Sequence, residues 1–206
     1  ANSLSHNEAL IPLIALLAPR GPILCIEATK RDTVALAKTI ADKQPATESE
    51  EVRELAEFIE AKLSDAHPLS RVVKKGVAYH HGSLPSDIRT EIEKAMSDGI
   101  IKILVATTTM TEGVNLPVQA VIISKVGTYQ DNQEFLRIIK GSKMANAIGR
   151  AGRATQETEG CVVLVHQGSV NAETFKAIDP DDQEKWVTSN LATQEFLNEI
   201  AEYEAL

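Results

Sequence analysis

Aromatic side chains are scarce: one Trp, three Tyr and four Phe make up 4% of the 206 residues. A core for a domain of this length must then be built from Ile, Val, Leu and Ala. That favours α/β layers over an aromatic-rich β-sandwich. Cysteine is equally sparse, with Cys25 and Cys161 alone, each inside an apolar run ("PILCIEA", "GCVVLVHQ"). Thiols so placed read as buried and reduced, and two of them exclude a disulfide framework. No stretch approaches the roughly 18 apolar residues of a membrane span. The N-terminal "ALIPLIALLAP" lacks the basic segment of a secretion signal, so it is expected to open the fold as an amphipathic helix. A basic surplus is missing too, the net charge being −8. This argues against an all-over nucleic-acid glove, yet it leaves room for a local basic strip on one face.

What the sequence does contain is an alternation of short apolar strands with helices. "GPILCIEAT" (21–29), "GVAYHHG" (76–82), "IKILVATTT" (101–109), "VQAVIISKV" (118–126) and "GCVVLVHQ" (160–167) read as buried strands. Helical periodicity runs over 31–43, over 48–66 with a Glu-rich outer face, and over 85–99, where Pro85 starts the helix and Gly99 stops it. Strands apolar on both faces and joined through helices predict a parallel sheet covered on both sides. Residues 127–142 read as a loop or hairpin insertion, and 171–178 and about 183–204 as helices. The expected division is a domain over 1–170 and a helical extension over 171–206, packed on the domain or leading to a following one. The chain starts at Ala1 and not at Met, which suggests an excised fragment.

In such sheets ligands gather at the C-terminal ends of the strands. Three polar clusters fall there. In "HHGSLP", Gly82 and Ser83 turn into a helix whose free N–H groups suit a phosphate, though a purely structural turn reads equally well. His80 and His81 are neighbours on a strand, so they point to opposite faces and cannot share one metal ion. Nothing else has ligand spacing, and no metal site is expected. In "TTTMTEGVNLP", Thr107, Thr108, Thr109 and Thr111 offer hydroxyls that can meet phosphate oxygens without reading bases; β propensity alone would also favour threonine here. In "NAIGRAGRA", Arg150 and Arg153 lie on one helix face in a glycine frame, as planar cations suited to phosphate. A salt bridge to the surplus Glu is the plain alternative, but two helical glycines need a reason.

Taken in order, these clusters resemble the C-terminal RecA-like domain of a superfamily 2 helicase, most closely the Ski-like DExH group. "VAYHHGSLPSDIRTEIEKAMSDGIIKILVATTTMTEGVNLPVQAVII" (77–123) resembles the stretch with motifs IVa and V. "NAIGRAGRA" (146–154) resembles motif VI, and residues 21–41 fit the weaker motif IV. The resemblance covers about residues 8–170 and implies a RecA-like parallel sheet with helices on both faces. It also implies an ATP-dependent DNA or RNA helicase in which this chain is the second motor domain. By motif position, Arg153 is the arginine finger at the γ-phosphate, with Arg150 assisting. Gly113 and Asn115 approach the nucleotide ribose, and Glu112 lies between the nucleotide and nucleic-acid functions. Thr107, with Thr109 beside it, touches the nucleic-acid backbone. Gly82, with Ser83, offers an amide to a phosphate, and Arg89 anchors that loop. The resemblance also implies an ATP-binding place for Asn146, which stands where relatives carry Gln or His.

The chain holds no Gly-Lys and no Asp-Glu dipeptide. The Walker A and DExH motifs are therefore absent, and in the family both belong to an N-terminal RecA-like domain. The expectations are that ATP and Mg2+ are held mainly by that partner domain, that this chain alone is inactive, and that a single strand of DNA or RNA is the other partner. No membrane partner is expected, and the place is cytoplasmic, nucleoid or nuclear, not secreted. The reading set against this is a non-catalytic helicase-like platform for protein or RNA. A small-molecule α/β enzyme is disfavoured, since no nucleophile–base pair stands out.

Overall fold

The structure, a computed structural model, describes residues 5–107, 110, 116–124, 127–129, 135–137 and 160–165. Helix α1 (His6–Leu17) starts from a capping box. The Ser5 hydroxyl accepts from the Glu8 amide at 3.3 Å, and the Glu8 carboxylate accepts from the Ser5 amide at 3.0 Å. Leu10, Ile14 and Leu17 form its buried stripe, while Pro12 and Leu16 face out, as expected of an amphipathic helix. Strand β1 (Ile23–Glu27) follows, buried at every position. Helices α2 (Lys30–Ala41), α3 (Glu50–Lys62) and α4 (Pro68–Val73) lead to β2 (Val77–His80), and α5 (Ser86–Ser97) to β3 (Ile103–Thr107). Strands β4 (Ala120–Ile123), β5 (Gly127–Tyr129), β6 (Phe135–Arg137) and β7 (Cys161–Leu164) complete the described elements.

Five strands form one parallel sheet in the order β2-β3-β1-β4-β7. The path from β1 to β2 runs outward past β3, and the path from β2 to β3 runs back. Right-handed crossovers therefore put α2 and α4 on one face and α5 on the other, while α3 packs on α4 and meets α5 through the Lys62–Asp87 ion pair. The expected α/β class, a RecA-like sheet with helices on both faces, is what is found. The core is aliphatic, with Ile23, Leu24, Ile26, Leu36, Ile40, Ile59, Ile88 and Ile92 fully buried and Tyr79 the one large aromatic among them. Cys25 is buried and Cys161 only half-buried, because β7 lies at the edge of the described sheet; both thiols are free. Burial pushes the Cys25 thiol far above its usual range.

Helix α4 falls in a stretch with no sequence-based assignment. His67 Nδ1 accepts from the Leu69 amide at 3.3 Å, Pro68 occupies the first turn, and Leu69, Val72 and Val73 are buried. The helix read over 48–66 is shorter, ending at Lys62. The insertion read over 127–142 does contain an antiparallel pair, β5 with β6. The segments read as helices past 170, and with them the domain boundary, lie outside the described residues. At the opposite end of the sheet from the strand tips, Gly21 takes φ 141°, and a Cβ there would meet Gln119 Cβ at 2.9 Å. The close approach is held by the Gln119 amide donating to the Pro22 carbonyl at 2.8 Å.

Candidate functional site

Three adjacent strands, β2, β3 and β1, end side by side. Glu27 pairs in register with Thr107, and His80 with Ala106. At a spacing of about 4.8 Å between strands, their tips lie within about 10 Å of one another. Over these tips opens a cleft of about 630 Å³, walled by Ala28, Thr29 and Lys30 after β1, His80, Gly82 and Ser83 at the end of β2, Thr107 of β3, and Arg89 from α5. Helix α2 begins at its rim. Thr29 caps it, its hydroxyl accepting from the Asp32 amide at 3.1 Å. Helix α5 begins three residues beyond Ser83. Two helix starts, two cations and a threonine hydroxyl thus share one concavity, a donor-rich setting for an anion.

Of the residues read from sequence as nucleic-acid contacts, Gly82, Ser83, Arg89 and Thr107 come together in this cleft. Gly82 and Ser83 are exposed at its mouth, and Thr107 is buried at its floor. Thr109, Glu112, Gly113, Asn115, Asn146, Arg150 and Arg153 lie outside the described residues. The loop contact read for Arg89 is made by another residue: Lys30 Nζ donates to Ser83 Oγ. The Arg89 side chain makes no hydrogen bond or ion pair among the described residues, and its Nε is buried without a partner.

Behind Arg89 lies a buried pair. His80 Nε2 stands 2.8 Å from Glu93 Oε1, one helical turn beyond Arg89 on α5. Burial holds the imidazole below its ordinary pKa. The Glu93 carboxylate opposes that shift, and the Arg89 charge adds to it. A neutral His80 therefore donates its Nε2–H to Glu93 and leaves Nδ1 buried and unpartnered. His81 goes to the other face of the sheet, as adjacency on a strand requires. It stacks on Tyr79 with ring centroids 5.7 Å apart and lies against Lys30, Arg31 and Val34 of α2. Its pKa too is lowered, by burial first and by the Lys30 charge second. Burial raises the Tyr79 hydroxyl to about 12.

Sequence reasoning left out Lys30, Thr29 and the His80–Glu93 pair. The signal for the first two was present in "EATKRD": a hydroxyl and two cations immediately after a buried strand, at a helix start. Among the described residues no cluster of three or more His, Cys, Asp or Glu is placed to hold a metal ion, and no helix is long and apolar enough to cross a membrane.

Residues 10–155 match the family model of the helicase conserved C-terminal domain. Relatives include the ATP-dependent DNA helicase MER3 of Saccharomyces cerevisiae, 31% identical over 78% of this chain and 13% of its own length. A helicase POLQ-like of Caenorhabditis elegans is 32% identical over 78% of this chain and 18% of its own. The ATP-dependent DNA helicase Hel308 of Caldivirga maquilingensis is 29% identical over 78% and 22%. The matched region thus spans less than a quarter of each of these relatives. These likenesses agree with the resemblance read from the motifs.

Proposed function

The chain belongs to the helicase conserved C-terminal domain family, and we propose that it acts as the second motor domain of an ATP-dependent DNA helicase. A single strand passes over the cleft, its phosphates met by the Gly82 and Ser83 turn, Arg89, Thr107 and Thr109. Arg150 and Arg153 of motif VI reach the phosphates of ATP, whose nucleoside end faces Glu112, Gly113, Asn115 and Asn146. ATP and Mg2+ are held chiefly by a preceding RecA-like domain. Closing the two domains brings the arginines onto the charge that develops as the γ-phosphoryl group leaves. Reopening loosens the grip of the cleft on the strand, and the alternation produces stepping along the nucleic acid in the compartment that holds it.

One observation carries the reading. Gly82 and Ser83 of the turn after β2, Arg89 of α5 and Thr107 of β3 line one cleft, and Arg89 reaches it with no partner for its charge among the described residues. DNA is favoured over RNA because relatives such as MER3 and Hel308 bear the name DNA helicase. Contacts of this kind grip backbone and not base, so sequence preference is weak and salt dependence strong. The test is Arg153→Ala in the full-length protein: hydrolysis falls by about 10³–10⁵ while ATP binding persists. Hydrolysis within about tenfold of the parent, well short of that loss, removes Arg153 from the finger position. The isolated chain is expected to turn over no ATP, and turnover by the pure chain refutes the two-domain reading.

A further inference from the structure

The cleft does not end at Lys30. A second depression of about 490 Å³ lies along α2, lined by Lys30, Arg31, Lys38 and His81. A third, of about 260 Å³, joins α2 to α4 through Lys38, Arg71 and Lys75. Lys30 is shared by the cleft and the second depression, and Lys38 by the second and third. The three form one line across the face that carries α2 and α4.

Charge on this line is left uncompensated in a chain of net charge −8. Arg31, Lys38, Arg71 and Lys75 take no ion pair among the described residues. Of the other cations, Arg53 pairs with Glu50 and Glu57, Lys62 with Asp87 and Lys74 with Glu60. Arg20, Lys43, Lys94 and Lys102 are scattered and also unpaired among the described residues; what sets the strip apart is that its cations share adjoining depressions. Among the described residues, Asp42 is the one acidic side chain lining either depression. Asp32, on the same helix, is engaged by the Thr29 hydroxyl at 2.8 Å.

We propose that this strip is a second nucleic-acid contact, a basic track that carries the phosphate backbone of the strand beyond the cleft. The proposal rests on the cleft being the strand site. From Lys30 to Lys38 the helix rises about 12 Å, enough to face more than one phosphate of an extended single strand. The floor is aliphatic, from Val34, Ala35, Ala41 and Val72, with no Phe, Tyr or Trp among the described lining side chains. The His81 imidazole at its edge is already stacked on Tyr79. Stacking of bases is therefore not offered here, and the grip is electrostatic and indifferent to sequence. A protein partner would be expected to find an aromatic or fully buried anchor, and the strip provides none among the described residues.

The experiment measures binding of fluorescent oligothymidylates of about 5 and about 20 nucleotides, the first spanning the cleft alone, by anisotropy at several salt concentrations. Lys38→Glu, Arg71→Glu and Lys75→Glu are combined in one variant, with Lys38→Ala, Arg71→Ala and Lys75→Ala as a milder second should the first fail to fold. Arg20→Glu, Lys94→Glu and Lys102→Glu, away from the strip, make a control of equal charge. The strip variant is expected to bind the short strand as the parent does and the long strand about tenfold or more weaker. Its log–log salt slope for the long strand falls by about 2, at roughly 0.7 for each phosphate no longer neutralised. An unchanged long-strand affinity, or a loss matched by the control variant, overturns the proposal. The cleft is judged separately by Arg89→Ala on the short strand. If that variant binds normally, the cleft reading fails; if it weakens while the strip variant is silent on the long strand, only the track fails.

Discussion

Replacing Arg89 by Ala separates a ligand-facing cation from a structural one. The Arg89 side chain donates to nothing among the described residues, and its buried Nε has no partner. Truncation therefore breaks no hydrogen bond among them, and thermal stability is expected to hold. What disappears is a charge-assisted hydrogen bond to phosphate, worth about 1.5–3 kcal/mol. At about 1.4 kcal/mol per decade, affinity for a short single strand falls roughly 10- to 150-fold. The salt slope falls by about 0.7, the share of one phosphate on a single strand. A third readout is independent of ligand. Because the Arg89 charge helps to depress the His80 pKa, its removal moves the His80 titration upward, visible by NMR on the imidazole protons. Anisotropy between about 50 and 200 mM salt, with a thermal melt on the same sample, reads the outcome. Unchanged affinity together with a marked drop in melting temperature refutes the reasoning, for it makes Arg89 a structural residue.

Two further outcomes are expected. His67, His80 and His81 all titrate below the ordinary imidazole value in the folded chain, each chiefly through burial. The unfolded chain then binds more protons below about pH 6.5, so stability present above that value is lost as pH falls through it toward the lowered folded-state values. Urea melts across this range check the sign, and His80→Gln is expected to flatten the slope; stability that rises on acidification contradicts it. Gly21→Ala is expected to cost about 1–3 kcal/mol, since the backbone takes φ 141° and the new Cβ meets Gln119 Cβ at 2.9 Å. A denaturant melt with no loss would show that the close approach relaxes freely.

Much of the fold was legible because its signals are local. Buried parallel strands read as continuous apolar runs, and β1, β2, β3 and β4 lie inside the runs read for them. Helix α4 escaped notice because six residues hold too little periodicity to stand out, although Pro68 after the capping His67 marked its start. The cleft was half legible. Gly82, Ser83 and Thr107 were legible as polar residues just past buried strands, and Arg89 came from the motif resemblance; each sits on a strand tip, the turn after it or the following helix. Lys30 was not seen, since its meeting with Ser83 follows from the strand order β2-β3-β1, which no local pattern encodes. The His80–Glu93 pair has the same cause: the partners lie on different elements, and only the crossover through α5 brings them together.

The central place of β1 sets a condition on how the domain comes into being. Ile23 takes its neighbours from Ile103 on one side and Ala120 on the other, so β1 has no ladder until β3 has been synthesised and keeps one edge open until synthesis has passed β4. A nascent or refolding chain therefore passes through a stage in which an apolar strand has no ladder, the stage most exposed to misassociation. The cleft needs the first three strands paired, because its walls are the tips of β1, β2 and β3, with β3 between the other two. A strand of nucleic acid that fills the cleft then recognises completed pairing across all three, and its binding draws the population toward the finished sheet as a whole.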